Sequence, residues 1–201
     1  MNLPTKITVS RIILIPVIVA VYLIPWDYSG YVAAGIYIIA ALTDFLDGKI
    51  ARKYNMVTTL GKFLDGIADK MLVSVCLLLI LADGTIPHPW GVITMSLVFC
   101  RDLIIGCLRQ VAAANGKVIA ADMIGKVKAT FQDFAIPLLF VVPHWLTLVG
   151  VGSVFNLFDN GFSFPVVLII LAFVVYAISI VLTVVSGFTY IIRNKEVFKT
   201  E

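Results

Sequence analysis

Charge is what this chain has least of. Only 13% of its 201 residues are Asp, Glu, Lys or Arg, against 61% hydrophobic, and the mean hydropathy of +1.05 exceeds what a water-soluble core of this size requires. Cysteine and histidine are also scarce. Cys76, Cys100 and Cys107 are odd in number and lack zinc-ligand spacing, so packing is their expected role. His88 and His144 fall in expected outer turns away from the basic residues, which argues against a histidine metal centre. No long polar stretch is present to build a domain outside a membrane. At about 20 residues per span, six transmembrane helices use roughly 120 residues and leave short loops. Without a water-exposed domain to display the basic residues, nucleic-acid binding is excluded.

The basic residues that do occur are informative by position. All 15 Lys and Arg fall into four groups: Lys6 and Arg11; Lys49 to Lys70; Arg101 to Lys128; and Arg193 to Lys199. Between them lie basic-free stretches at 12–48, 71–100 and 129–192, each long enough to cross a bilayer and return. All 15 therefore fit on one side, which the positive-inside rule makes the cytoplasm. The expected architecture is all-α: one polytopic unit over residues 1–201, multi-pass in the cytoplasmic membrane, with both termini facing inward.

Helices are expected from about Ile12 to Ile24, from Gly30 past Asp44, from Leu60 to Ala82, over 91–113, over 125–142 ending at Pro143, and over 165–191. The first run follows Lys6 and Arg11 as a signal peptide's apolar region would, but no small-residue cleavage site precedes Pro25, so it reads as a retained helix. Residues 144–163 are too long for a tight turn and suit a small interfacial helix.

Four acids stand out at the inner ends of the second and third helices. Asp44 and Asp47 are three apart and Asp65 and Asp69 four apart, so each pair shares one helix face. An ionised carboxylate in a membrane segment costs about 2.5–3.5 kcal/mol, so four imply on the order of 10 kcal/mol unless something offsets it. Two hard divalent cations in a cage of oxygens would do so. Salt bridges to Lys49, Arg52, Lys62 and Lys70 are the plainer alternative. Gly48 lies inside a helical pattern, where glycine costs about 1 kcal/mol, with Ala51 one turn on. Such small residues admit either a bulky ligand or a tightly packed helix, as do Gly61 and Gly66.

The run Asp44-Phe-Leu-Asp47-Gly48-Lys-Ile-Ala51-Arg52, followed after eight residues by Gly61, then Asp65 and Asp69 each after three more, resembles the complete signature of the CDP-alcohol phosphatidyltransferases. The resemblance implies a six-helix membrane enzyme, usually a homodimer, that moves a phosphatidyl group from a CDP-linked lipid to an alcohol and releases CMP. It makes Asp44, Asp47, Asp65 and Asp69 ligands of two divalent cations, Mg²⁺ or Mn²⁺, and Asp69 also the base for the acceptor hydroxyl. Gly48, Ala51 and Arg52 would accommodate the CDP moiety, and Gly61 would keep the opposite helix close. The active site would face the cytoplasm.

Arg101-Asp-Leu-Ile-Ile-Gly-Cys-Leu-Arg109, Gly116-Lys117-Val-Ile-Ala and Gly125-Lys126-Val-Lys128-Ala-Thr130-Phe-Gln132 are similar to the branch of that family that makes phosphatidylglycerol phosphate, as is the opening Asn2 to Arg11. That similarity implies CDP-diacylglycerol as donor and sn-glycerol 3-phosphate as acceptor. Arg101, Arg109, Lys126 and Lys128 would suit the acceptor's phosphate; as an alternative they are ordinary anchors at the membrane face. Thr5, Asp102, Ala129 and Asp133 depart from the branch pattern. They leave inositol phosphate, serine and phosphatidylglycerol open as acceptors, with Asp133 either paired to a base or placed to position substrate. A small cation transporter is the reading from another class, but it calls for acids spread through the membrane depth, and these cluster at one end.

Overall fold

A computed structural model of the chain describes residues 3–53, 59–114, 122–150 and 164–194, with backbone alone for 3–7, 44–53, 59–60, 62–63 and 114. Among the described residues every regular element is a helix: α1 (Leu3–Leu23), α2 (Ser29–Lys53), α3 (Thr59–Ala82), α4 (Trp90–Ala114), α5 (Met123–Val149) and α6 (Phe164–Arg193). α4, α5 and α6 are each long and apolar enough to cross a membrane. α1 and α2 contain shorter apolar stretches, Thr8–Leu23 and Ser29–Thr43.

The helices run alternately up and down, and side-chain contacts fix which ends lie together. At one end Arg11 of α1 meets Asp65 of α3, and Arg101 and Arg109 of α4 meet Ser186 and Tyr190 of α6. At the other, Tyr22 of α1 donates to Asp83 just beyond α3, and the His144 ring of α5 lies 4.9 Å from that of Tyr31 in α2. The first end is the basic end, and it gathers the described Lys and Arg side chains as their spacing requires.

α5 and α6 form the most extensive helix pair, α1 packs on both α2 and α3, and α5 also packs along α2. The core between them holds Ile18, Tyr37, Ile80, Ile136, Leu139 and Ile169, all buried. Large apolar side chains also cover the outside: Ile39, Leu42, Phe134, Val181 and Phe188 are exposed. A bundle apolar within and without is stable only where the surrounding solvent is lipid.

Two helix boundaries differ from expectation. α1 begins at Leu3, well before the apolar run, because Thr8 and Arg11 are themselves buried and so belong to a packed helix. α5 does not end at Pro143. It contains both Pro137 and Pro143 and stops at Gly150, whose φ of 72° is left-handed and whose N–H reaches the Leu146 and Thr147 carbonyls. Proline removes one backbone hydrogen bond, but packing against neighbouring helices lets an apolar helix continue. His144 is therefore helical instead of lying in a turn. Of the expected interfacial helix, 144–149 belong to α5 and 151–163 lie outside the described residues. Cys76 is buried in the core as a packing residue, whereas Cys100 and Cys107 are exposed.

Gly30 opens α2 where it crosses α5, and a Cβ there would overlap the Phe140 carbonyl oxygen. Since the obstacle is backbone, relief requires the helices to part. Gly30→Val should destabilise the bundle by about 1–3 kcal/mol, read as a lower thermal midpoint of the purified protein in detergent.

Candidate active site

The basic end carries an open cavity of about 240 Å³ among α3, α4, α5 and α6. Asp69 and Lys70 line it from α3, Arg101, Asp102 and Arg109 from α4, and Tyr190 from α6. α5 supplies Lys126, Lys128, Gln132 and Asp133. Five of the sequence-identified residues thus converge: Asp69, Arg101, Arg109, Lys126 and Lys128.

They are not equivalent. Lys128 is only 3% exposed, and its Nζ lies 3.1 and 3.3 Å from the two carboxylate oxygens of Asp102. Asp102 also accepts from Arg101 Nη1 at 2.8 Å, while Arg101 Nε and Nη2 donate to the Ser186 hydroxyl at 3.1 and 2.8 Å. Ser186 is buried on a small polar stripe of α6 with Ser179 and Thr183, whose hydroxyls donate to carbonyls of the preceding turn. Gly125 makes room for this guanidinium, since a Cβ there would lie 2.9 Å from Arg101 Nη2. Arg101 and Lys128 are therefore held within the protein, and both depend on Asp102.

Arg109 and Lys126 are exposed cations at the cavity. Arg109 Nε donates to the Tyr190 hydroxyl at 3.1 Å, and its guanidinium carbon lies 5.5 Å from that ring's centroid. Stacking on the ring orients the fork, and among the described residues no carboxylate pairs with it. A cation oriented by a neutral partner keeps its charge available to an anion.

Of the four motif aspartates, the side chains of Asp44 and Asp47 lie outside those described, as do those of Gly48, Ala51 and Arg52; their backbone forms the end of α2. Asp65 is half-exposed, and its Oδ1 is 3.2 Å from Nη1 of Arg11, which is 1% exposed. This basic partner comes from α1 and is none of the nearby lysines and arginines that the salt-bridge alternative named. Asp69, one turn further, lines the cavity, while Gly61 lies one turn before Asp65 on α3. Among the described residues no three His, Cys, Asp or Glu side chains gather as a metal cage. The described donors are carboxylate oxygens, the type that hard divalent cations take.

The site also uses residues that sequence reasoning passed over: Tyr190, Ser186, and Tyr37, whose hydroxyl donates to Asp133 Oδ1 at 2.9 Å. A carboxylate in an apolar helix signals the need for such a donor, but the helix register that identifies Tyr37 is not in the sequence pattern.

A model of the CDP-alcohol phosphatidyltransferase family matches residues 1–192. The chain belongs to that family. It is 37% identical over 211 aligned positions to the CDP-diacylglycerol–glycerol-3-phosphate 3-phosphatidyltransferase of Bacillus subtilis (strain 168), spanning 99% of this chain and 98% of that one. Proteins of the same name from Escherichia coli (strain K12) and Salmonella choleraesuis (strain SC-B67) are each 39% identical over 158 positions, spanning 77% of this chain and 85% of theirs.

Removing the carboxylate under the buried lysine tests the wall's construction. Asp102→Ala leaves Lys128 unpaired and should cost about 3 kcal/mol. Adding Lys128→Met should recover most of that loss, and thermal midpoints of the two variants measure both effects.

Proposed function

We propose that the chain transfers the phosphatidyl group of CDP-diacylglycerol to sn-glycerol 3-phosphate, giving phosphatidylglycerol phosphate and CMP. The observation that carries this reading is the small cavity in which Asp69 shares a wall with Arg109 and Lys126, exposed cations that pair with no carboxylate among the described residues. The acceptor's phosphate binds those cations, with Arg101 and Lys128 behind them, and this places its primary hydroxyl toward Asp69. The hydroxyl oxygen forms a bond to the phosphorus that carries diacylglycerol. The bond from that phosphorus to the bridging oxygen breaks, CMP leaves with the electron pair, and the hydroxyl proton passes to Asp69.

Asp44, Asp47, Asp65 and Asp69 would hold two divalent cations, Mg²⁺ or Mn²⁺. When bound, such ions neutralise diphosphate charge and favour departure of CMP. Gly48, Ala51 and Arg52 would take the CDP moiety, with Gly61 opposite. In the same reading all six helices span the cytoplasmic membrane, the basic end faces the cytoplasm, and the chain works as a homodimer.

The decisive experiment supplies purified protein with CDP-diacylglycerol, either metal and one acceptor at a time. CMP release with glycerol 3-phosphate is the expected result. Release only with inositol phosphate, serine or phosphatidylglycerol would replace the acceptor while keeping the chemistry.

Two substitutions separate the roles. Asp69→Asn should lower kcat by about 10²–10⁴-fold, the usual contribution of a positioned base. Lys126→Ala should raise the KM for glycerol 3-phosphate about tenfold with kcat nearly unchanged, the pattern of a lost binding contact. Steady-state CMP release at varied acceptor concentration reads both.

A further inference from the structure

Two neighbouring side chains in the cavity wall are left unused by phosphate binding. Gln132 is 2% exposed, and among the described residues its Nε2 has no hydrogen-bond partner although the residue lines the cavity. Native proteins seldom leave a buried amide donor unsatisfied, and a ligand that supplies an acceptor relieves the cost. Asp133 follows it on α5 and lines the same cavity, with Oδ1 accepting from the Tyr37 hydroxyl. Tyr37 is 1% exposed, so the phenol is fixed. A carboxylate has about four lone-pair sites, and the Tyr37 hydroxyl occupies one of them.

A donor beside an acceptor suits a hydroxyl group, which accepts and donates at one oxygen. The basic side chains of the wall serve an anion and cannot distinguish one phosphorylated alcohol from another. We propose that Gln132 and Asp133 recognise the acceptor's free secondary hydroxyl, Gln132 donating to its oxygen and Asp133 accepting its hydrogen. The preferred acceptor class is then a phosphorylated alcohol with a second hydroxyl next to the attacking one. Tyr37 is a positioning residue that aims the carboxylate. The proposal rests on the cavity being the acceptor site, and it adds a source of selectivity: a buried site built to bond a hydroxyl is left unpaired by an analogue that lacks it.

The test compares kcat/KM for sn-glycerol 3-phosphate and 3-hydroxypropyl phosphate, which keeps the phosphate and the attacking primary hydroxyl and lacks the secondary one. With CDP-diacylglycerol and Mg²⁺ or Mn²⁺, the unmodified protein should prefer glycerol 3-phosphate by about 10- to 100-fold. Gln132→Met and Asp133→Asn should each remove most of that preference by slowing glycerol 3-phosphate alone. Tyr37→Phe should do so partially. Equal use of both compounds by the unmodified protein would overturn the proposal and leave the proposed function standing. Variants that slow both compounds equally would also overturn it, since they would show a merely structural role. Turnover of neither compound would remove the function and this proposal together. The preference of the unmodified protein is read even if a variant fails to fold.

Discussion

The bundle's basic end is organised by the need to keep a buried lysine paired. Lys128 sits between apolar helices, where an uncompensated ammonium would cost several kcal/mol. Asp102 provides the compensating charge from α4, and because it also binds Arg101, which in turn fills the Ser186 hydroxyl on α6, one carboxylate ties three helices together. The cavity wall is a product of that arrangement. With Arg101 and Lys128 committed inward, Arg109 and Lys126 are the exposed cations that α4 and α5 give to the wall, and they stand on helices whose spacing is already fixed.

That division of labour explains how far the sequence could be read. The spacing of 15 basic residues was enough to anticipate alternating helices with one shared basic end, since the bilayer penalises every other placement. Helix boundaries obeyed different physics. Pro143 marks a stop by local rules, yet α5 continues to Val149 because α2 and α6 pack along it, and α1 starts early because Thr8 and Arg11 are buried by neighbours. Those ends are decided by tertiary contact, which a single chain's pattern does not encode.

The site was legible to the same depth. Asp69, Arg101, Arg109, Lys126 and Lys128 could be assigned to one region because charged side chains in this chain have nowhere else to go. Their separate roles could not. Ser186 is one hydroxyl within the apolar run of α6, and Tyr37 and Asp133 are 96 residues apart, so both partnerships depend on how the helices are rotated about their axes. Arg11 illustrates the point: its charge places it at the basic end of the bundle, but only packing brings it to Asp65 on α3.

Rotation about the axis also explains why no separate catalytic domain is needed. Successive residues of α5 turn by about 100°, so Gln132 and Asp133 line the cavity while Phe134 projects to the lipid-facing surface and Ala135 is buried in the core. One helix thus separates a polar cavity from the hydrocarbon by little more than its own width. For the proposed transfer this placement matters, because the donor's diphosphate is tethered to chains that stay in the bilayer while the acceptor arrives from water. In that proposal a wall whose Arg101, Arg109 and Lys128 are held by Ser186, Tyr190 and Asp102 would bind the acceptor without reorganising at the moment of reaction. The same hydrogen bonds that let charged groups persist among apolar helices thereby supply the orientation that the chemistry requires.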